Sequence, residues 1–508
     1  MKKAILLTFI SSFVFSQGVF PKFYKINTLD FDSSAIRGLT TNVIGDILPQ
    51  SDTLLWLGTG SGLAVLRDTS SIFTLSTNKN IAEGQATNST PEGAVSALEV
   101  SGNALFAAFA TSGENITKGN GLIYSSNSTG KTISWTYFDQ LVDTEADSLS
   151  PFAKRFFRGL PITVKEANVT YDAAINGNNI YTTSWAGGLR RYNTTTKIWQ
   201  RVPLPEDSDL LLNTCDESSY TTTTSGSVLR DFYLNPRDPE DGGNHNHKAF
   251  SVISFSDTVW VGTANGINKG KIVREQISGE AFDCIQWEHF SFPNNNLSGN
   301  FVVALHRQIN SSGSETIWAA TLPADKEGER RGLSYSRDGG LSWNKTLLDE
   351  RIYNITSNQD IVLASSESGL WRSNDGINWA KYSPAIDKKY LSQKQILTDI
   401  VYTSKIDTRS DTLGLWVGTS DGVAFSNDLI GSDWEIFQAN YDSSEFYAYP
   451  NPFSPRNHNQ IQNDGYIRFH TGQITSQELS LDIFNFAMER VYQEKFNLVT
   501  YNGAIKWN

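Results

Sequence analysis

One short pattern returns seven times along the chain, and it constrains the fold more than any other feature. An alternating strand carrying an aromatic or bulky residue steps through a small or Thr-rich pair to a Gly turn, and a second alternating strand follows. The pattern is plainest at 55–63 (LWLGTGSGL), 259–267 (VWVGTANGI) and 415–423 (LWVGTSDGV). Weaker copies stand at 180–189 (IYTTSWAGGL) and 361–370 (IVLASSESGL). Two more are stretched by insertions: 105–108 (LFAA) resumes at 121–124 (GLIY), and 317–320 (IWAA) resumes at 332–335 (GLSY).

Side chains on a strand alternate between its two faces, so Trp56 and Gly58 share one face while Leu55 and Leu57 share the other. Apolar residues on both faces require a packed neighbour on each side. Gly62, Gly266 and Gly422 supply turn angles that other residues reach only at a cost. Each copy follows another apolar strand, such as 43–48 (VIGDIL), 249–255 (AFSVISF) or 398–402 (TDIVY). A fourth strand comes after it, as at 197–202 (KIWQRV) and 284–290 (CIQWEHF).

Four strands per unit, repeating at roughly 40–60 residues, is the arithmetic of radially packed sheets. The expected fold is therefore all-β: a seven-bladed β-propeller of four-stranded antiparallel blades over residues 17–440. Expected blade limits are about 38–78, 92–140, 165–204, 247–292, 298–348, 351–384 and 395–438. The segment 20–26 (FPKFYKI) reads as an outer strand that closes the ring by completing the last blade. Two long polar excursions, about 141–164 and 205–246, interrupt the blades, and the second, which is acidic, reads as a loop.

Residues 1–16 (MKKAILLTFISSFVFS) have a Lys pair, an apolar run and a small or aliphatic residue at Val14 and Ser16 before Gln17, the pattern of a secretory signal peptide. No later stretch has the roughly 18 apolar residues of a membrane helix, so a spanning chain is not expected. An extracellular or outer-surface location follows. The formal charge is −12, and loss of Lys2 and Lys3 with the leader takes it to −14. With no long basic run, nucleic acid is not an expected partner.

Two cysteines, Cys215 and Cys284, are too few for a disulfide framework; export permits one bridge, and two buried thiols are the alternative. In the second excursion Asp238, Glu240, Asp241, His245 and His247 form a weak candidate metal set, against which a solvated loop is the plainer reading. No catalytic motif, phosphate loop or CxxC is present, and no cofactor is expected. His289 and His306 read as packed or surface residues.

The stretch 336–343 (SRDGGLSW) fits S-x-D-x-G-x-x-W, and 373–379 (SNDGINW) is one residue shorter; both resemble the Asp-box of sialidases and other propellers. The resemblance implies structural roles for Ser336, Asp338, Gly340 and Trp343, and for Ser373, Asp375, Gly376 and Trp379. The Asp accepts backbone N–H groups of a tight turn, Gly permits the bend and Trp anchors it. Degenerate versions stand at 125–135 and 426–434. The sialidase-type early Arg-Ile-Pro is missing, Arg37 standing in Ile36-Arg-Gly-Leu instead, so catalysis is not implied. The stretches 38–48 (GLTTNVIGDIL) and 55–59 (LWLGT) resemble the propeller repeat of two-component-regulator sensors, which lies outside the membrane and binds ligands such as glycans.

After residue 440 the chain changes to 446–455 (FYAYPNPFSP) and further alternating strands. This opening resembles the C-terminal domains of type IX secretion cargo and the immunoglobulin-like domain of flagellar hook-capping proteins. The resemblance implies a small sandwich over 441–508, with Tyr449, Pro450, Asn451, Pro452 and Phe453 as its sorting motif and a type IX-like export machinery as partner. The usual pattern runs on beyond the Trp, so at Asn508 either the sandwich is incomplete or the sequence is a fragment.

The function expected from these readings is a binding or scaffold protein at the cell surface, not an enzyme, with a protein or glycan partner. The rivals are an extracellular glycoside hydrolase or lyase and a structural part of a secretion or adhesion assembly. Two or three carboxylates with an Arg or His at the channel mouth would favour the enzyme.

Overall fold

The computed structural model describes residues 35–439, apart from 68–70, 114–115, 131–132, 167, 278–279, 383–395 and 411. Further along it describes 447–449, 465–470, 478–485, 487–497 and 505–507. Every copy of the repeat forms the middle of an antiparallel sheet. In blade 1 the order from the axis outward is Ile44–Ser51, Leu54–Thr59, Gly62–Arg67 and Ser71–Thr74. Blades 2 to 7 begin on the inner strands Ala94–Ser101, Thr170–Asn176, Ala249–Phe255, Phe301–Ile309, Ile352–Asn358 and Val401–Asp407. Each inner strand packs beside the next, and that of blade 7 packs beside that of blade 1. The ring is closed, and the fold is a seven-bladed β-propeller.

The core is divided among the gaps between blades, as two-faced burial requires. Trp56 and Trp135 meet edge to face at 6.1 Å between blades 1 and 2, while Trp416 packs with Leu55 and Leu57 between blades 7 and 1. Trp56, Trp260 and Trp416 are all buried. A buried indole N–H favours an acceptor, and three core tryptophans have one. Trp56 donates to Gln50 at 2.7 Å, Trp318 to Gln308 at 2.8 Å and Trp416 to Asp407 at 2.8 Å, each acceptor lying on the blade's own inner strand.

Blade 7 takes its four strands from Val401–Asp407, Gly414–Thr419, Gly422–Ser426 and Glu435–Phe437. The expected closing strand, 20–26, lies outside the described residues, as do the leader 1–16 and Pro450 to Phe453. Among the described residues the ring is clasped by Asn42: its Nδ2 donates to Asp421 at 3.3 Å and its Oδ1 accepts from Ala439 N at 2.7 Å. Its backbone carbonyl also accepts from Gly422 N at 2.7 Å. Blade 1 gains a fifth, outermost strand from Ile36–Arg37.

The two excursions are not plain loops. Leu149–Phe152 and Arg155–Gly159 from the first join Gly226–Leu234 and Tyr220–Thr223 from the second in one four-stranded sheet. The junction, Arg155–Gly159 with Gly226–Leu234, is parallel. Phe157, Leu229 and Phe232 share a core with Tyr181 and Val202 of blade 3 and Ile285 and Trp287 of blade 4. The Thr-rich and acidic composition concealed this sheet, because its apolar residues point to one side only. Cys215 and Cys284 form a disulfide that fastens the second excursion to blade 4's outermost long strand, with Cα atoms 5.2 Å apart. The first excursion is anchored by Asp143, which accepts from Arg190 at 2.6 Å and Arg201 at 3.1 Å with no exposure of its side chain.

Beyond the propeller, Tyr447–Tyr449, Ile467–His470 and Ile505–Trp507 form a three-stranded sheet. Glu478–Phe484 pairs with Arg490–Asn497. Among the described residues no helix is long and apolar enough to cross a membrane.

Candidate functional site: the axial channel

All seven inner strands carry a β-bulge at the same level. The ladder skips Gly45, Ser96, Tyr171, Phe250, Val303, Tyr353 and Tyr402 in blades 1 to 7. A bulge sets two residues of one strand against one of its partner and re-aims side chains. Here every skipped residue lines a cavity of about 410 Å³ on the propeller axis. In five blades the residue after the bulge lines it too.

The bulge residues make a lopsided rim. Blades 3, 4, 6 and 7 contribute aromatic rings, with Tyr171 and Phe250 centred 5.3 Å apart and Tyr353 and Tyr402 5.4 Å apart. Blades 1 and 2 contribute only the small residues Gly45 and Ser96 to this ring. Trp185 and Phe301 back Phe250 at 5.4 and 4.3 Å.

Beneath the rim, charge collects on one side of the wall. Asp46, Glu99 and Asp172 come from blades 1, 2 and 3, and Lys405 from blade 7; His306 and Arg307 come from blade 5. Asp172 accepts from Ala173 N and Val252 N at 2.8 Å each, pinning blade 3 to blade 4, and Asp46 accepts from Ile47 N at 2.8 Å. Burial raises Asp46 to about 6 against the pull of the Ile47 amide and Lys405. Burial also raises Asp172 to about 7, the two amides opposing. Glu99 rises to about 8, again chiefly through burial, with the Asp172 charge adding to it. Three carboxyls facing one ammonium in a confined space cannot all ionise cheaply, so protons remain among them at neutral pH. Burial holds His306 neutral, at about 3, and its Nε2 lies 2.8 Å from Ser357 Oγ. Arg307 is paired with Glu315 at 2.6 Å and stacked on Phe255.

The Asp-box residues lie elsewhere, in turns between the third and fourth strands of blades 5 and 6. Asp338 accepts from Ser342 N at 2.9 Å and Ser336 Oγ at 2.8 Å, while Gly340 N donates to Ser336 Oγ at 2.8 Å. Trp343 is buried behind the turn. Asp375 accepts from Ile377 N and Asn378 N at 2.8 Å each, Gly376 N donates to Ser373 Oγ at 2.8 Å, and Trp379 donates to Thr346 Oγ1 at 2.9 Å. The degenerate copy at 426–434 closes the same way, Asp428 accepting from Ile430 N, Gly431 N and Ser432 N. These carboxylates hold turns and do not line the axial cavity.

The candidate metal residues do not converge. Asp238 pairs with Lys248, and His245 Nε2 pairs with Asp325 at 2.6 Å. His247 is buried, its Nδ1 accepting from Asn235 N at 2.9 Å and its Nε2 3.1 Å from Leu204 O. Asp241 opens no ion pair with them; it closes a short turn by donating its N–H to Asp238 O at 2.9 Å. Among the described residues no group of three His, Cys, Asp or Glu is placed to hold a metal ion.

No protein-family model matches the chain, and no curated protein matches it. Among solved structures it is similar to the extracellular domain of the putative one component system BT4673 from B. thetaiotaomicron. That similarity runs at 15% identity and a TM-score of 0.42, covering 77% of this chain and 39% of that one. It is also similar to PorZ, an essential surface component of the type-IX secretion system of Porphyromonas gingivalis (14% identity, TM-score 0.39, 90% and 59% covered). A third similarity is to the GH74 enzyme of Niastella koreensis (13% identity, TM-score 0.43, 79% and 54% covered). The chain thus spans about two fifths of the BT4673 domain's length.

Proposed function

We propose that this protein is an exported, cell-surface or secreted binding module whose propeller recognises a protein or glycan partner at the bulge-lined mouth of the axial channel. The segment from 441 onward, with the motif Tyr449 to Phe453, delivers or anchors it by a type IX-like route. The carrying observation is the rim: seven strands repeat one bulge, four bulge residues are aromatic, and across from them the wall is narrowed only by the small residues Gly45 and Ser96. An aromatic wall facing small residues suits a sugar ring or an inserted side chain, because the ring faces add contact area at little cost in ordering.

The carboxyl cluster supports a second reading, a glycoside hydrolase or lyase. Glu99, protonated at neutral pH, would be its acid and Asp46, the least raised of the three, its base. Against it, the arginine and histidine of the wall are already committed, Arg307 to Glu315 at 2.6 Å and His306 to Ser357 at 2.8 Å.

The test is a glycan array and a peptide array run with the full chain beside turnover assays on the same sugars. Saturable binding without turnover is expected. Turnover would replace the binding reading with the hydrolase. Silence in both would refute it in favour of a scaffold, for which Leu341, Ile377 and Ile430, exposed at equivalent turns of blades 5, 6 and 7, are the contact row.

A further inference from the structure

Resting on that reading of the channel as the binding site, we propose that its deep part takes an organic cation, a primary ammonium or guanidinium group, seated among Asp46, Glu99 and Asp172 and displacing a proton as it enters. Fully ionised, the three carboxyls face one positive group, Lys405, since Arg307 is committed to Glu315. The well is therefore short of positive charge, and it makes good the shortage with protons. A cation that enters does the same work and sets a proton free.

Ser96 supplies an independent sign of an absent guest. It lines the cavity, is 4% exposed, and its hydroxyl has no hydrogen-bond partner among the described residues. A buried hydroxyl left without a partner is unfavourable, and an ammonium or guanidinium N–H would donate to it. The rim suits the same class, because the faces of Tyr171, Phe250, Tyr353 and Tyr402 carry the negative potential that attracts cations. A bare metal ion fits less well, since among the described residues no three carboxyl or imidazole groups lie close enough together to coordinate one small ion. About 410 Å³ accommodates an alkyl stem with its charged head.

The other titratable groups on the wall do not reproduce the effect. Burial holds the phenols of Tyr171, Tyr353 and Tyr402 protonated and His306 neutral, so none changes charge between pH 6 and 8.5. Glu99, with Asp172 close behind, is the group that answers to a cation in that interval.

Isothermal titration of the full chain tests this, with butylamine and butylguanidine as free cations. The second arm uses a capped Gly-Lys-Gly peptide and its norleucine counterpart. Saturable cation binding is expected at pH 8.5, weaker by about a hundredfold at pH 6, two units below the Glu99 value. Near pH 7, buffers of different ionisation enthalpy should show a proton released on binding. Glu99→Gln should lose at least about tenfold in affinity and most of the pH dependence, whereas Lys405→Met should bind more tightly. Binding by the free amines alone identifies a small-molecule guest, and binding by the Lys peptide alone identifies a partner's side chain; both outcomes support the inference. It is overturned if no cation binds the folded wild type, if the norleucine peptide binds equally, or if Glu99→Gln leaves affinity unchanged. A channel that binds an array ligand yet refuses every cation would sink this inference and leave the binding-module reading intact.

Discussion

Replacing Glu99 with Gln should stabilise the protein at neutral pH, although it removes a carboxyl group from a wall that also holds Lys405. A free glutamate titrates at 4.5, whereas burial in the channel lifts Glu99 to about 8. At pH 7 the folded chain therefore keeps a proton that the unfolded chain has released, and ionisation favours unfolding. The interval from 4.5 to 7, at 1.36 kcal/mol per pH unit, amounts to about 3 kcal/mol. Solvent in the channel and the proton sharing with Asp46 and Asp172 reduce this to about 1–3 kcal/mol. The penalty is absent below pH 4.5, grows as pH rises, and levels off above about 8, because the folded value is the raised one. A propeller of roughly 400 residues loses about 0.8 kcal/mol per degree near its midpoint, so the variant should melt about 1–4 °C higher at pH 7. Thermal unfolding at pH 5, 7 and 8.5 measures this. The gain should be smallest at pH 5 and largest at pH 8.5. A variant no more stable than wild type at any of these values would refute the placement of Glu99 in a confined acidic wall.

Three further outcomes follow from the packing. Replacing both Cys215 and Cys284 by Ser releases a constraint spanning 69 residues, worth about 4 kcal/mol of chain entropy, and should lower the midpoint by about 5 °C; no shift would mean that the bridge does not form. Asp143→Asn leaves the buried guanidinium groups of Arg190 and Arg201 without a counter-charge and should cost about 3–5 kcal/mol in urea unfolding. Against the pull of burial, those arginines hold Asp143 below its ordinary value, so its contribution is present above pH 4 and lost as the pH falls further. Gly340→Ala forces a positive-φ backbone, +100°, onto a residue whose Cβ would lie 2.9 Å from the Phe290 ring, and should cost about 1–3 kcal/mol in the same assay.

The propeller was legible because its signal is local. Trp56, Trp260 and Trp416 each sit in the same nine-residue frame, and two-sided burial writes apolar residues on both faces of the strands around them. The Asp-box turns were legible for the same reason, since the Asp338 and Asp375 carboxylates bond to amides within four residues. The channel was not. Asp46, Glu99 and Asp172 stand singly in alternating strands, where an isolated carboxylate reads as a solvent-facing residue. Their convergence depends on the ring bringing blades 1, 2 and 3 side by side, and their aim depends on a bulge whose register is set by the neighbouring strand. The accessory sheet escaped notice because a parallel pairing between 155–159 and 226–234 joins segments about 70 residues apart in sequence. Its one usable sign was the pair of short apolar runs at 228–229 (VL) and 232–234 (FYL).

The axial mouth as the site of recognition is tested most directly by closing it. A Cβ at Gly45 would meet only the Gly58 carbonyl oxygen, at 3.8 Å, so a side chain can start there without a backbone clash, and Gly45→Phe puts a ring into the sector of the rim that holds only small residues. Binding of the ligand returned by the arrays should then be compared between wild type and Gly45→Phe, with thermal unfolding run on both. Loss of saturable binding at an unchanged midpoint is the predicted result. Undiminished binding by a folded, plugged propeller would contradict the account and place recognition on another surface.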